Sequence, residues 1–251
     1  MIGGLPPDPP RTLQLIREVK VDTDPLTVAV EGEGIYVGTD QGKVLKVDIN
    51  GEVRTIKSFN AGCYDFVVGI CVFDQKVFCL DTNGTNMSLR RDNKIHVLEL
   101  ETGTLLQSWA HANIYNYYGS MTAISNGKII VADVTNSRLT IYSLNGQLIR
   151  HVDCPQISSG CVCICVSPSN PDVIIVSDWE SSQVFAVNLT TGAVLWTNSD
   201  ISEPQGVAGY GSEHVLVTKA GGRTQLWVLN ANTGMCRLTF RGGYQSPNVL
   251  F

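Results

Sequence analysis

The chain has no CxxC pair, no stretch close to the roughly 18 apolar residues of a membrane span, and no basic excess. Each absence removes a class of function. Eight cysteines without paired spacing exclude a zinc knuckle or a dithiol redox motif and fit a reduced, cytoplasmic protein. The four histidines, His96, His111, His151 and His214, fall at non-equivalent places, so no site built on two or three imidazoles is indicated. With 18 basic and 23 acidic residues the net charge is −5, which disfavours a nucleic-acid partner. The start, "IGGLPPDPP", has neither a basic leader nor an apolar run, and residues 1–10 read as a Pro-rich linker. The sequons at Asn83, Asn86 and Asn188 leave an extracellular life open. Helix has little room, because turns recur too often for a sustained 3.6-residue period.

What is abundant is a repeat. Turn glycines Gly51, Gly103, Gly146, Gly192 and Gly234 are spaced by 52, 43, 46 and 42 residues. Each closes a unit of an apolar strand, a second strand, a polar hinge, a third strand and a fourth. That period and pattern predict an all-β fold, a β-propeller of four-stranded antiparallel blades. The blades are expected at about 24–59, 64–111, 117–154, 160–200 and 203–240 within one domain, 11–251. The second copy is longer because Thr82 to Asn93 intrudes as a loop; removing about ten residues restores the common period of ~42.

The inner strands align with Ala29, Cys71, Ala123, Cys165 and Ala208 in one column. Small side chains suit a crowded axis, and free cysteine packs as a small hydrophobe. The second strands align with Gly38, Cys79, Ala132, Ser177 and Thr218 in one column. Cys161, Cys163 and Cys165 alternate on one face of a strand, but no spacing supplies a further metal ligand. "QLIREV" at 14–19 echoes the outer strand "QLIRHV" at 147–152, while "SPNVLF" at 246–251 stands where a new inner strand would begin. These echoes predict a six-bladed ring with five complete blades and a partial sixth from 11–21 and 246–251, in a fragment of a longer chain; the alternatives are an incomplete last blade, or a ring closed with five blades whose edge the terminal strands cover.

The third copy, "GKIIVADVTNSRLTIYSLNGQLIRHV" at 127–152, resembles an NHL repeat, and "PQGVA" at 204–208 is similar to that family's strand opening. The resemblance implies a binding propeller, placed in such proteins after RING, B-box and coiled-coil segments as the substrate- or RNA-binding end. No RING ligands occur in this sequence. The fourth copy ends in "TGAVLW", which also looks like a quinoprotein-type repeat, without the charged contacts of a quinone pocket.

The leading expectation is a non-catalytic propeller that takes a protein partner through the face formed by strand-entry loops and hinges. Candidate contacts are Tyr64, Asp65, Arg90, Arg91, Tyr117, Tyr118, Trp179, Glu180, Gln205 and Arg223, because Tyr, Trp and Arg dominate interface energetics. A single-stranded RNA-binding propeller is the first alternative; Arg90, Arg91 and Arg223 supply little positive surface for it. A hydrolase or lyase with a channel metal is the second. It needs several carboxylates or imidazoles converging from different blades, and only Asp65 and Glu203 lie near strand entrances. No catalytic residue, metal or cofactor is expected.

Overall fold

The computed structural model describes residues 18–59, 65–83, 92–111, 120–124, 126–158, 160, 162–219 and 225–241. Alternating β-branched and aromatic residues separated by Gly, Asn and Asp turns form twenty strands. Blade 1 holds β1 (Pro25–Glu31), β2 (Gly34–Thr39), β3 (Lys43–Val47) and β4 (Val53–Ser58). Blade 2 holds β5 (Asp65–Phe73), β6 (Lys76–Asn83), β7 (Asp92–Glu99) and β8 (Leu105–Ala110). In blade 3 these are β9 (Met121–Ile124), β10 (Lys128–Asp133), β11 (Arg138–Ser143) and β12 (Leu148–Asp153). Blade 4 comprises β13 (Val162–Ser167), β14 (Asn170–Asp178), β15 (Gln183–Asn188) and β16 (Val194–Asn198), and blade 5 comprises β17 (Pro204–Tyr210), β18 (His214–Lys219), β19 (Gln225–Asn230) and β20 (Cys236–Arg241). Every sheet is an antiparallel meander in chain order.

The six-bladed expectation is wrong: the fold is a five-bladed propeller, each blade completed by four consecutive strands. Of the segments assigned to a sixth blade, 11–17 and 246–251 lie outside the described residues. Residues 18–21 form no strand, and Val19 and Val21 pack on the Val37, Leu45 and Val47 face of blade 1. The echo of 147–152 at 14–19 is a likeness of side chains, whereas strand pairing also needs a partner in register. The intruding loop is also shorter than expected, since Thr82, Asn83, Asp92 and Asn93 extend the β6–β7 ladder.

Consecutive blades pack face to face through apolar seams. Val44 and Phe59 of blade 1 meet Val77, Cys79 and Leu98 of blade 2. A continuous cluster then runs from Phe78 and Ile95 through Ile130 and Leu139 to Ile164 and Phe185, and Ile175 and Ala186 meet Val207 and Val217 at the last seam. Cys71 and Cys165 are buried in the inner strands, and burial pushes the Cys165 thiol up to about 12. Cys79 is buried too, but pairing corrects its column. Leu80 opposes Ile95 as Ala132 opposes Leu139 and Ser177 opposes Val184, so Leu80 holds the place expected for Cys79.

Three of the turn glycines do more than turn the chain. Gly103, Gly146 and Gly234 have φ of +68°, +81° and +69°. A Cβ on Gly103 would lie 2.2 Å from the Ile56 carbonyl oxygen of the preceding blade; one on Gly146 would lie 2.5 Å from the Trp109 ring, and one on Gly234 2.4 Å from that of Trp196. The same turns are hydrogen-bonded from behind. Arg54 donates to the Glu101 carbonyl (3.0 Å), Gln107 to that of Asn145 (2.7 Å), Arg150 to that of Leu189, and the Trp196 indole to that of Ala231 (3.0 Å). So one blade's outer strand seats the next blade's third turn.

Gly192 separates the two demands, because its φ is +73° yet a Cβ would come no closer than 3.6 Å to Val152. G192A should therefore show only the backbone cost of about 1–2 kcal/mol, and G146A that cost plus displacement of Trp109, at least about 1 kcal/mol more. Urea unfolding compares them; equal losses would show that the seating contact adds nothing.

Candidate functional site

One end of the blades carries the hinges between second and third strands and the loops that enter the inner strands. Its organising residue is a buried acid at the end of the second strand. Asp133 opposes Arg138 and Asp178 opposes Gln183; Asp81 opposes Lys94 in the same position. Unpaired hinge amides and a buried carboxylate satisfy one another. Asp133 accepts from the Asn136 amide N–H (3.3 Å) and side chain (2.9 Å) and from Arg138 Nε (2.8 Å). Asp178 accepts from the Ser158 N–H (2.7 Å) and hydroxyl (2.6 Å) and from the Ser181 N–H (3.1 Å), tying blade 4 to the loop leaving blade 3. In blade 1 the Thr39 hydroxyl takes the part, accepting from the N–H groups of Gln41 and Lys43 at 3.3 and 3.2 Å.

Asp178 fixes a turn that presents Trp179 and Glu180 outward. Trp179 is 41% exposed, the one large aromatic so displayed on a hinge among the described residues. Ser182 (φ +53°) and Glu203 (φ +54°) both adopt left-handed backbone, and the Glu203 N–H donates to the Ser182 hydroxyl at 3.2 Å. This joins the blade 4 hinge to the loop entering blade 5. Ser177 in turn donates to the Gln205 carbonyl. The hinge that carries Trp179 and Glu180 is thus joined to the loop that carries Glu203 and Gln205. Asp65 opens β5 in another blade. Tyr64, Arg90, Arg91, Tyr117, Tyr118 and Arg223 lie outside the described residues. Exposed Asp153, Glu180, Asp200 and Glu203 make this end of blades 3 to 5 acidic.

Two polar sets at the blade seams went unread in the sequence. At the blade 1–2 seam, His96 Nδ1 lies 2.7 Å from Ser108 Oγ and its Nε2 lies 3.5 Å from Asp81 Oδ2, while Phe59 stacks on the ring at 4.3 Å. At the blade 2–3 seam, buried His111 shares a 2.7 Å hydrogen bond with the Tyr142 hydroxyl and meets that ring edge-on at 5.5 Å. Phe59, His111 and Cys154 are equivalent, each donating its N–H to the carbonyl of the matching residue at the head of the third strand: Gly42, Asn93 and Ser137. The only sequence signal was an imidazole in a position that holds Phe or Cys in neighbouring copies.

Burial lowers the His111 imidazole to about 4 and raises the Tyr142 phenol to about 12. Because His111 is neutral when folded and takes a proton readily when unfolded, its contribution is complete above about pH 6.5 and fades as pH falls toward 4. The wild type should lose on the order of 3 kcal/mol more over that window than H111Q. Paired urea titrations at pH 7 and 4.5 test this; parallel losses would contradict it.

No family model matches the chain, and no curated protein matches it. Solved structures do. The fold is similar to the WD40 β-propeller domain of Doa1, with a TM-score of 0.60, 14% identity, and coverage of 91% of this chain and 72% of that one. It is similar to a streptogramin B lyase, with a TM-score of 0.64, 14% identity, and 90% and 71% coverage. A protein of unknown function from Bacteroides caccae gives 0.63, 11% identity, and 88% and 83% coverage. At these identities the likeness concerns the propeller fold alone. Among the described residues, no group of three or more His, Cys, Asp or Glu is placed to hold a metal ion, and no helix is long and apolar enough to cross a membrane.

Proposed function

We propose that the chain is a binding propeller that takes a protein partner on its hinge face, centred on Trp179 at the blade 4–5 seam. The observation that carries this reading is Trp179 itself. A large aromatic side chain, 41% exposed, stands on a turn whose backbone is fixed by a fully buried carboxylate. A rigid, exposed Trp loses little entropy on binding and is the residue type most enriched in binding hot spots. Glu180, Glu203 and Gln205 supply a polar rim around it, as interface anatomy requires. The proposal extends to Tyr64, Asp65, Arg90, Arg91, Tyr117, Tyr118 and Arg223 from their places in the sequence repeat alone. The NHL-like third and fifth copies support the finer reading of a substrate-recognition module in a larger ubiquitin-ligase-like protein acting in the cytoplasm. The exposed carboxylates at this end disfavour single-stranded RNA, whose phosphates they would repel.

Partner capture by wild-type and W179A protein, each checked for unchanged melting temperature, tests the proposal. Loss of a hot-spot Trp should weaken the partner about 30-fold, corresponding to ~2 kcal/mol. Undiminished capture of every partner by folded W179A would remove this face as the binding site.

A further inference from the structure

We propose that Ser108 is an activated nucleophile, with His96 as its general base and Asp81 as the positioning residue. The three residues lie on adjacent strands β8, β7 and β6 of blade 2 and face blade 1 together. The Asp81 carboxylate, 3.5 Å from His96 Nε2, favours the tautomer that carries its proton there. Nδ1 is then the free acceptor, and Ser108 Oγ stands 2.7 Å from it. Phe59, stacked at 4.3 Å, holds the ring plane. Asp81 is 4% exposed, and neither its Oδ1 nor His96 Nε2 has a hydrogen-bond partner among the described residues, so carboxylate and imidazole are left facing each other at 3.5 Å. Ser108 itself is exposed.

The register adds a second element. His111 donates its N–H to the Asn93 carbonyl at 2.9 Å, making that residue pair hydrogen-bonded. By alternation His96 and Ser108, three residues further along, form a non-bonded pair with close side chains. The Ser108 N–H then points away from β7 to the open edge of the blade, beside its own Oγ, where it can donate to a developing oxyanion. Blade 3 is the control within the molecule. There the same pair is Thr140 and His151, joined at 3.1 Å, but the hydroxyl is buried and the imidazole exposed. Only blade 2 has the order a nucleophile needs.

The chemistry is acyl transfer from a carboxylic ester, for which exposed Leu106, two residues before Ser108 on β8, offers an apolar rest. Ser108 Oγ bonds to the carbonyl carbon as its proton passes to His96 Nδ1. The tetrahedral intermediate collapses, the C–O bond to the alcohol breaks, and His96 returns the proton to the departing oxygen. Water, deprotonated by His96, then releases the acid and restores the hydroxyl.

The test is covalent labelling of the full chain with a fluorophosphonate, in which the Ser108 oxygen bonds to phosphorus, fluoride leaves, and the proton goes through His96 to solvent. Peptide mapping should find the adduct on Ser108. S108A should abolish it and H96Q should slow it about 100-fold. D81N should slow labelling with the melting temperature unchanged, and D81E should restore part of the rate, which a purely structural acid would not do. Because H96Q alters a buried site, the S108C thiol gives an independent reading. It should be alkylated by iodoacetamide below pH 7, where the exposed Cys236 thiol is slow. No adduct on Ser108, or one formed no faster than on exposed Ser169, overturns the proposal, as does an S108C thiol that reacts only as Cys236 does.

Discussion

The contact on which the rest of the structure depends is the seating of the third-strand turns of blades 2, 3 and 5 against the preceding blade. A glycine with positive φ lets the turn backbone reach Ile56, Trp109 or Trp196, and a donor from the same outer strand bonds a turn carbonyl. Without the glycine the ring and the turn overlap, and without the donor a turn carbonyl facing the seam loses its partner. The seating sets the distance between blades, and the distance decides which side chains fill the apolar clusters behind it.

With the outer ends fixed, the hinge end becomes a platform. Asp133 and Asp178 spend their carboxylates on hinge amides and on Ser158, so backbone order at this end comes from buried charge-assisted hydrogen bonds rather than apolar packing. That is why Trp179 can stand in solvent without making its turn loose. The same acid position in blade 2, Asp81, stands beside His96, and blade 2 carries His96 and Ser108 where blade 3 carries Thr140 and His151.

Much of this was legible in the sequence, and the parts that were not share a cause. The five glycines reported five repeated units and their strand order, because a turn with positive φ is a local demand. Trp179 and Glu180 were legible for a similar reason, as polar and aromatic residues in a hinge. Pairing across strands was not. Asp81 reads as displaced by one place in the linear copies, yet register puts it level with Asp133 and Asp178. His96 and Ser108 are twelve residues apart and meet only because the β7–β8 bulge falls between Val97 and Leu98, on the far side of the pair from the strand's start. The sixth blade was inferred from likeness at 14–19, where side-chain pattern repeats but strand structure does not.

The account's central claim is that the seams make the hinge end rigid enough for Trp179 to serve as a binding anchor. Amide hydrogen exchange with and without a captured partner measures it most directly. The account predicts slow exchange in the free protein at Ser181 and Ser158, whose amides bond to Asp178, and added protection on binding confined to 178–182 and 200–206. Protection appearing instead at the opposite turns, around Gly51, Gly103, Gly146 and Gly192, would contradict it.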